Sequence, residues 1–161
     1  MATVTRKNIK SAPTIGGTPA GNVAALNFSL ETDAAGVWVG SDQATAIAIA
    51  DKLRLGIIPA GMLVTDYTAR ISDTFTAATT MKIGFEYVDG VDMAGAFAQD
   101  DDYFCAATTM ATAAILKPTN TAVRPICFPK DVFLTLVNAG AAHASVGILD
   151  ITITGVLVGL A

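Results

Sequence analysis

Few side chains in this 161-residue sequence have the type and spacing that chemistry needs. His143 is the only histidine, and Ser145 follows two positions later in "NAGAAHAS". A catalytic triad needs a nucleophile, a base and an orienting carboxylate held by a scaffold, and proximity in sequence supplies none of that. The expectation for His143 is an exposed or capping residue at a turn or strand end. Asp100, Asp101 and Asp102, with Asp89 and Asp92 upstream, place five carboxylates on one stretch with no basic residue between them. Calcium takes such oxygens on a defined loop, but the D-x-[DN]-x-[DN]-G spacing is absent. An acidic docking patch for a basic partner fits the run better than a metal. Cys105 and Cys127 are the whole thiol inventory, without C-x-x-C or a Cys/His cluster, so zinc is not expected. A Cys105–Cys127 disulfide stays open, while cytoplasmic synthesis favours two reduced, buried thiols. "GGTPAG" lacks the Lys-Ser/Thr of a P-loop. One His and two Glu, Glu31 and Glu86, are too few for a cupin-like metal enzyme. Asn27-Phe28-Ser29 fits a glycosylation sequon, a pattern that also arises by chance. No catalytic residue, metal ligand or cofactor is therefore assigned.

Composition points away from catalysis too. Apolar residues make up 52% of the chain and charged residues 15%, against ~25% charged in ordinary globular proteins. A low charge fraction fits a surface partly covered by permanent partners. Residues 1–30 carry Arg6, Lys7 and Lys10 and no acid. The remainder carries seven basic and fourteen acidic residues, a charge of −7. A small basic segment thus precedes an acidic body. Aromatics are 7% and the basic residues are scattered, unlike a nucleic-acid reader. "MATVTRKNIK" has no apolar stretch of a signal peptide. The uncharged run from Val132 to Leu149 contains Asn138, Gly140, His143, Ser145 and Gly147 and makes a poor spanning helix. A soluble protein made in the cytoplasm is expected.

The elements follow from rhythm. Residues 1–22, with "SAPTIGGTPAG", read as an extended N-terminal arm, either a disordered tail or a strap that orders on a partner. From there a domain over 23–161 alternates with period two. Leu26, Phe28 and Leu30 share one face of a strand, and Leu53, Leu55 and Ile57 share another. Tyr67, Ala69 and Ile71 follow, then Met81, Ile83, Phe85 and Tyr87, and finally Leu149, Ile151 and Ile153. "GVWVG", "AVRPICFP" and "DVFLTLVNAG" read as further strands. "QATAIAIA" alternates in a strand-like way, although a helical turn is a second reading. Residues 91–116, rich in Ala, fit a short helix or an irregular excursion. About eight strands between Gly, Pro and Asp turns predict an all-β, antiparallel, jelly-roll-like β-sandwich. Trp38, the only tryptophan, either packs the core or anchors an interface, where Trp is enriched.

The text "LRLGIIPAGMLV", "ISDTF", "TTMKIGFEYVDG", "DDYFCAATTM" and "DVFLTLVNAGAAHASVGILDITITGVLVG" resembles the capsid decoration, or cement, proteins of tailed bacteriophages. Pro59, Gly61, Gly84, Asp100 to Asp102 and Gly147 through Gly159 occupy the positions that carry the likeness, over roughly residues 50 to 160. The resemblance implies a jelly-roll or related sandwich that assembles as trimers or dimers, the trimer favoured, over the joints between major capsid subunits. It implies a structural virion protein on the outer capsid surface, with the major capsid protein as partner and neither nucleic acid nor membrane. The alternative is a tail or fibre-associated sandwich that binds a host receptor or glycan. Arg6, Lys7, Ile9 and Lys10 are the expected capsid contacts, chosen by charge and residue type, and Trp38 the expected oligomer contact. The Pro59-Ala60-Gly61 phrase reads as a sharp connection between two buried strands.

Overall fold

Alternating residues become the pleats of two stacked sheets. The computed structural model describes residues 1–7, 23–95, 98–118 and 125–158. Ten strands run through them: β1 (Thr3–Thr5), β2 (Val23–Thr32), β3 (Lys52–Ile58), β4 (Met62–Asp73), β5 (Thr80–Tyr87), β6 (Asp100–Thr109), β7 (Ala114–Leu116), β8 (Ile126–Cys127), β9 (Val132–Ala139) and β10 (Gly147–Leu157). The first sheet has the order β1-β3-β9-β5-β6. The second has the order β2-β10-β4-β7, with β8 also on β4. β7 pairs with Ala69–Ile71 and β8 with Leu63–Val64, so together they fill one edge position. With β1 set aside, the chain passes from sheet to sheet at nearly every connection, and β5–β6 is the antiparallel hairpin that stays within one. That is the two-Greek-key topology of a jelly roll. All pairings are antiparallel except β1 on β3.

The expected faces recur in the core. Leu26, Phe28 and Leu30 of β2, Tyr67, Ala69 and Ile71 of β4, and Leu149, Ile151 and Ile153 of β10 point inward from the second sheet. Leu53 and Leu55 of β3, Met81, Ile83 and Phe85 of β5, and Leu134 and Leu136 of β9 meet them from the first. Each buried Leu, Ile, Met or Phe among them stabilises the fold by about 1.5–3 kcal/mol. Phe85 and Phe128 pack edge to face at 4.8 Å, filling one end of this layer. One phase differs from the alternation. A register shift between Arg54 and Gly56 is a bulge, so Ile58 rather than Ile57 joins the core, and Ile57 lies opposite Phe133.

Two segments depart from expectation. Of residues 91–116, expected as a short helix or an irregular excursion, 91–95 and 98–99 lie outside the strands, while Asp100–Thr109 is β6, the outer strand of the first sheet, and Ala114–Leu116 is β7, a short edge of the second. Register shifts interrupt the β5–β6 pairing twice, and Phe104 and Cys105 are buried side by side. Bulges of this kind erase the period that identifies a strand in sequence. "GVWVG" forms isolated bridges, Thr32 with Trp38 and Val37 with Ala46, instead of a strand. Pro59-Ala60-Gly61 carries the chain from the first sheet to the second. Met62 donates to the Pro59 carbonyl at 3.4 Å, and Gly61 has φ 74, as the third position of a type II turn requires. Among the described residues no helix is long and apolar enough to cross a membrane.

Candidate functional site

The N-terminal residues lie on the sandwich. Val4 is 2% exposed in the core, and β1 extends the first sheet beside β3. The Ala2 N–H donates to Asp51 Oδ1 at 2.9 Å, and the Thr5 N–H to Asp42 Oδ1 at 2.9 Å. Asp42 N–H returns a bond to the Thr5 carbonyl at 2.9 Å, and Lys7 N–H reaches the Gly40 carbonyl at 2.8 Å. Arg6 and Lys7 thus emerge from the end of a fixed strand with exposed side chains. Ile9 and Lys10, like the rest of 8–22, lie outside the described residues. Trp38 is 2% exposed and belongs to the core, so its indole is covered within the chain itself.

The residues suspected of chemistry are scattered. His143 is neither exposed nor a cap: it is 1% exposed, edge-on to Phe75 at 5.0 Å, and its ring nitrogens have no hydrogen-bond partner among the described residues. Burial holds its pKa down at about 4, so the ring is neutral at pH 7. The Ser145 hydroxyl bonds Thr76 Oγ1 at 3.1 Å instead of the imidazole. Cys105 and Cys127 are not joined to each other in a disulfide; the first is buried, its Sγ 3.3 Å from Thr108 Oγ1, and the second half-buried. Asp100, Asp101 and Asp102 bring carboxylate oxygens within 4.8 Å of one another. Lys82 answers two of them, Asp101 at 3.3 Å and Asp102 at 3.6 Å. Burial, with the neighbouring carboxylates, raises the Asp100 pKa.

The outer face of the first sheet carries an ion cluster that residue counting missed. Lys52 and Arg54 of β3 reach across β9 to Glu86 of β5, Lys52 at 2.9 Å and Arg54 through Nε. Burial alone would raise the Glu86 carboxyl, but hydrogen bonds and charge from the two cations outweigh it and hold its pKa below the usual value. Arg54 also lies 4.8 Å over the Phe133 ring. Beside the cluster a polar groove of about 520 Å³ runs past Tyr87, Gly90, Gln99 and Asp101. Opposite charges at the polar positions of alternating strands were legible in sequence, but the strand order that joins β3 to β5 through β9 was not. The outer face of the second sheet is hydroxyl-rich. Thr152 donates to Asn27 Oδ1 at 2.9 Å, and Lys117 binds Asp66 at 2.9 Å and Thr68 at 2.6 Å. A small hollow of about 120 Å³ by Pro118 and Pro125 is floored by Tyr67 and Phe104, stacked at 5.5 Å. Burial pushes the Tyr67 phenol pKa far up, so it stays protonated.

The two ends of the sandwich differ most. One end is built from residues 33–50, 74–79, 110–113 and 140–146, which carry two charged residues, Asp33 and Asp42. These loops are bonded to one another. Ile47 N–H donates to the Gly36 carbonyl at 3.1 Å, His143 N–H to the Ile47 carbonyl at 2.9 Å, and Phe75 N–H to the Met110 carbonyl at 3.0 Å. Ala144 N–H donates to Thr76 Oγ1 at 2.7 Å. Gly36, at φ 77, packs its Cα against the His143 carbonyl, where a Cβ would collide. The opposite end includes Asp89, Asp92, Lys117, Lys130 and Asp131.

No protein-family model matches this sequence, and no curated protein matches it. The fold is similar to a solved chain from the capsid of Ralstonia phage GP4, with TM-score 0.68 and 17% identity, over 99% of this chain and 100% of that one. It is similar to a chain of the cyanophage Pam1 capsid asymmetric unit, with TM-score 0.56 and 17% identity, over 88% of this chain and 89% of that one. A chain in the acidic stable capsid of Helicobacter pylori bacteriophage KHP30 matches with TM-score 0.50 and 10% identity, over 86% and 94%. At these identities the likeness is one of fold.

Proposed function

We propose that this chain is a structural virion protein that binds the outer surface of a phage capsid and stabilises the joints between major capsid subunits. The observation that carries the reading is the end-to-end match to a chain of a phage capsid, 99% of this chain against 100% of that one. A decoration role, distinct from that of the shell subunit itself, follows from the decoration-protein resemblance of residues 50 to 160. The chain acts without catalysis and without a cofactor, as a homo-oligomer, a trimer in preference to a dimer. Its attachment is multivalent: several weak contacts per oligomer multiply through effective concentration. Arg6 and Lys7, exposed at the end of β1, with Ile9 and Lys10 beyond them, supply part of the shell contact.

Co-sedimentation with undecorated, expanded capsids tests this. Saturation at a fixed ratio of copies to capsid subunits is expected, with weaker binding once residues 1–10 are removed. Absence of co-sedimentation, together with binding to a glycan array, would replace this reading with a receptor-binding tail or fibre role. Unchanged affinity of the shortened chain would remove the assignment of Arg6, Lys7, Ile9 and Lys10.

A further inference from the structure

We infer that the buried imidazole of His143 is an acid-sensitive latch, which keeps the loop 140–146 seated at neutral pH and releases it on protonation. The latch belongs to the fold and does not depend on the capsid reading. The ring is enclosed, 1% exposed, and stands edge-on to Phe75 at 5.0 Å. Among the described residues neither Nδ1 nor Nε2 has a hydrogen-bond partner. A neutral imidazole fits such a place as a flat, weakly polar ring. An imidazolium brings a full charge and two N–H donors that meet no acceptor there, and release into water removes that cost. The charged groups of the surrounding segments do not compensate it. Asp33 and Asp42, on the loop that carries Gly36 and Ile47, are exposed and accept from the N–H groups of Ala35, Val37 and Thr5. Asp51 is buried, and its oxygens accept from Ala2 and Ala48 at 2.9 Å each. Glu31 and Asp73, near the ends of β2 and β4, are exposed, and residues 74–79, 110–113 and 140–146 carry no other charged group. Burial alone sets the ring's low pKa of about 4.

The loop can lift without undoing either sheet. It joins β9, which lies between β3 and β5, to β10, which lies between β2 and β4, and neither strand takes its pairing from it. The bonds that seat it are gathered around the ring. His143 N–H donates to the Ile47 carbonyl at 2.9 Å, Ala144 N–H to Thr76 Oγ1 at 2.7 Å, and Thr32 Oγ1 to the Ser145 carbonyl at 2.9 Å. Gly36 closes over the His143 carbonyl. A ring that swings out takes these bonds with it and uncovers Phe75 and Ile47, both buried in the seated state. This end of the sandwich is thus sealed at neutral pH and presents those side chains in acid. A histidine that titrates near 6.5 in water and at about 4 in place favours the seated loop above pH 6.5 and loses that preference as pH falls toward 4. Full protonation multiplies the lifted population by up to about 300-fold, ten raised to the difference between those values.

The test follows the ring by NMR and the backbone amides by hydrogen exchange, from pH 7 to about pH 3.5, in the full chain and in His143→Phe. That variant keeps an aromatic ring and removes the proton site. His143 is the only histidine, so its ring signal needs no assignment. The ring should titrate well below 6.5. Protection at positions 143 and 144 should fall more than tenfold over the same range, while Leu134, Leu136 and Ile151 in the central strands stay protected. In H143F the loop should keep its protection throughout. Loop and strand protection that fall together would make this general acid unfolding and overturn the latch. A ring that titrates near 6.5 would also overturn it, as would a loop that opens equally in H143F, which would hand the effect to the carboxylates. Should H143F fail to fold, the natural chain decides alone, by whether the loop opens with the ring and ahead of the strands.

Discussion

At the end built from residues 33–50, 74–79, 110–113 and 140–146 the loops stand on large buried apolar side chains as well as on aspartate-to-backbone bonds; at the other end carboxylate bonds and an exposed ion pair bind the loops. Trp38, Ile47, Phe75 and Met110 all turn inward from the first set of loops, with exposures of 3% or less. Backbone bonds between neighbouring loops then leave small apolar side chains facing out. In the second set, Asp131 Oδ1 accepts the Ala60 N–H at 2.8 Å, Asp92 Oδ1 accepts the Gln99 N–H at 2.7 Å, and Lys130 pairs with Asp89 at 2.8 Å. Loops fixed by carboxylates keep their charge in view and remain solvated. The difference also predicts where stability resides, because buried anchors contribute more than exposed polar ones.

The largest effect should come from Trp38→Ala. Removing a fully buried indole under these loops is expected to cost about 3–5 kcal/mol, read as a fall in Tm of about 10 °C. A loss under 1 kcal/mol would show that these loops do not depend on the core.

Acidification should come next. His143 titrates near 6.5 when unfolded and at about 4 when folded. The unfolded chain therefore binds the extra proton first, so this stabilisation is complete above pH 6.5 and is lost as pH falls toward 4. The loss is about 3 kcal/mol over that window. Glu86 and Asp66, both held below their usual values by cationic partners, start from 4.5 and 3.8 and add their losses only at lower pH. Urea titrations between pH 7 and 4 on the natural chain and on His143→Phe check the assignment, and the variant should show a flatter profile. Equal slopes would remove His143 from the account.

The smallest effects belong to the charged end. Asp131→Ala, which releases the Ala60 N–H at the Pro59-Gly61 turn, is expected to cost about 1 kcal/mol. Lys130→Ala, which opens an exposed pair, should leave Tm nearly unchanged. Should Asp131→Ala instead rival Trp38→Ala, the contrast between the two ends would collapse.

The amino-acid sequence by itself determined the all-β class, the inward faces of β2, β4, β5 and β10, and the turn at Pro59-Ala60-Gly61. Each of these is written in local terms: period-two alternation, and a glycine where φ must be positive. It also showed the charge imbalance between residues 1–30 and the remainder, and the scarcity of catalytic side chains. Only the tertiary structure decided the rest. β6 escaped the reading because bulges against β5 break its period, so its strand character exists only in the pairing. His143 looks like a surface residue in "NAGAAHAS", yet Phe75 and the loop around Ile47, distant in sequence, bury it. Trp38 became a core residue for the same reason. Lys52, Arg54 and Glu86 became one cluster because β9 lies between β3 and β5, and sheet order is a long-range choice that no short stretch encodes. The charge-poor end arose in the same way: four loops, which together carry Asp33 and Asp42 alone, came together when the jelly roll brought them to the same end.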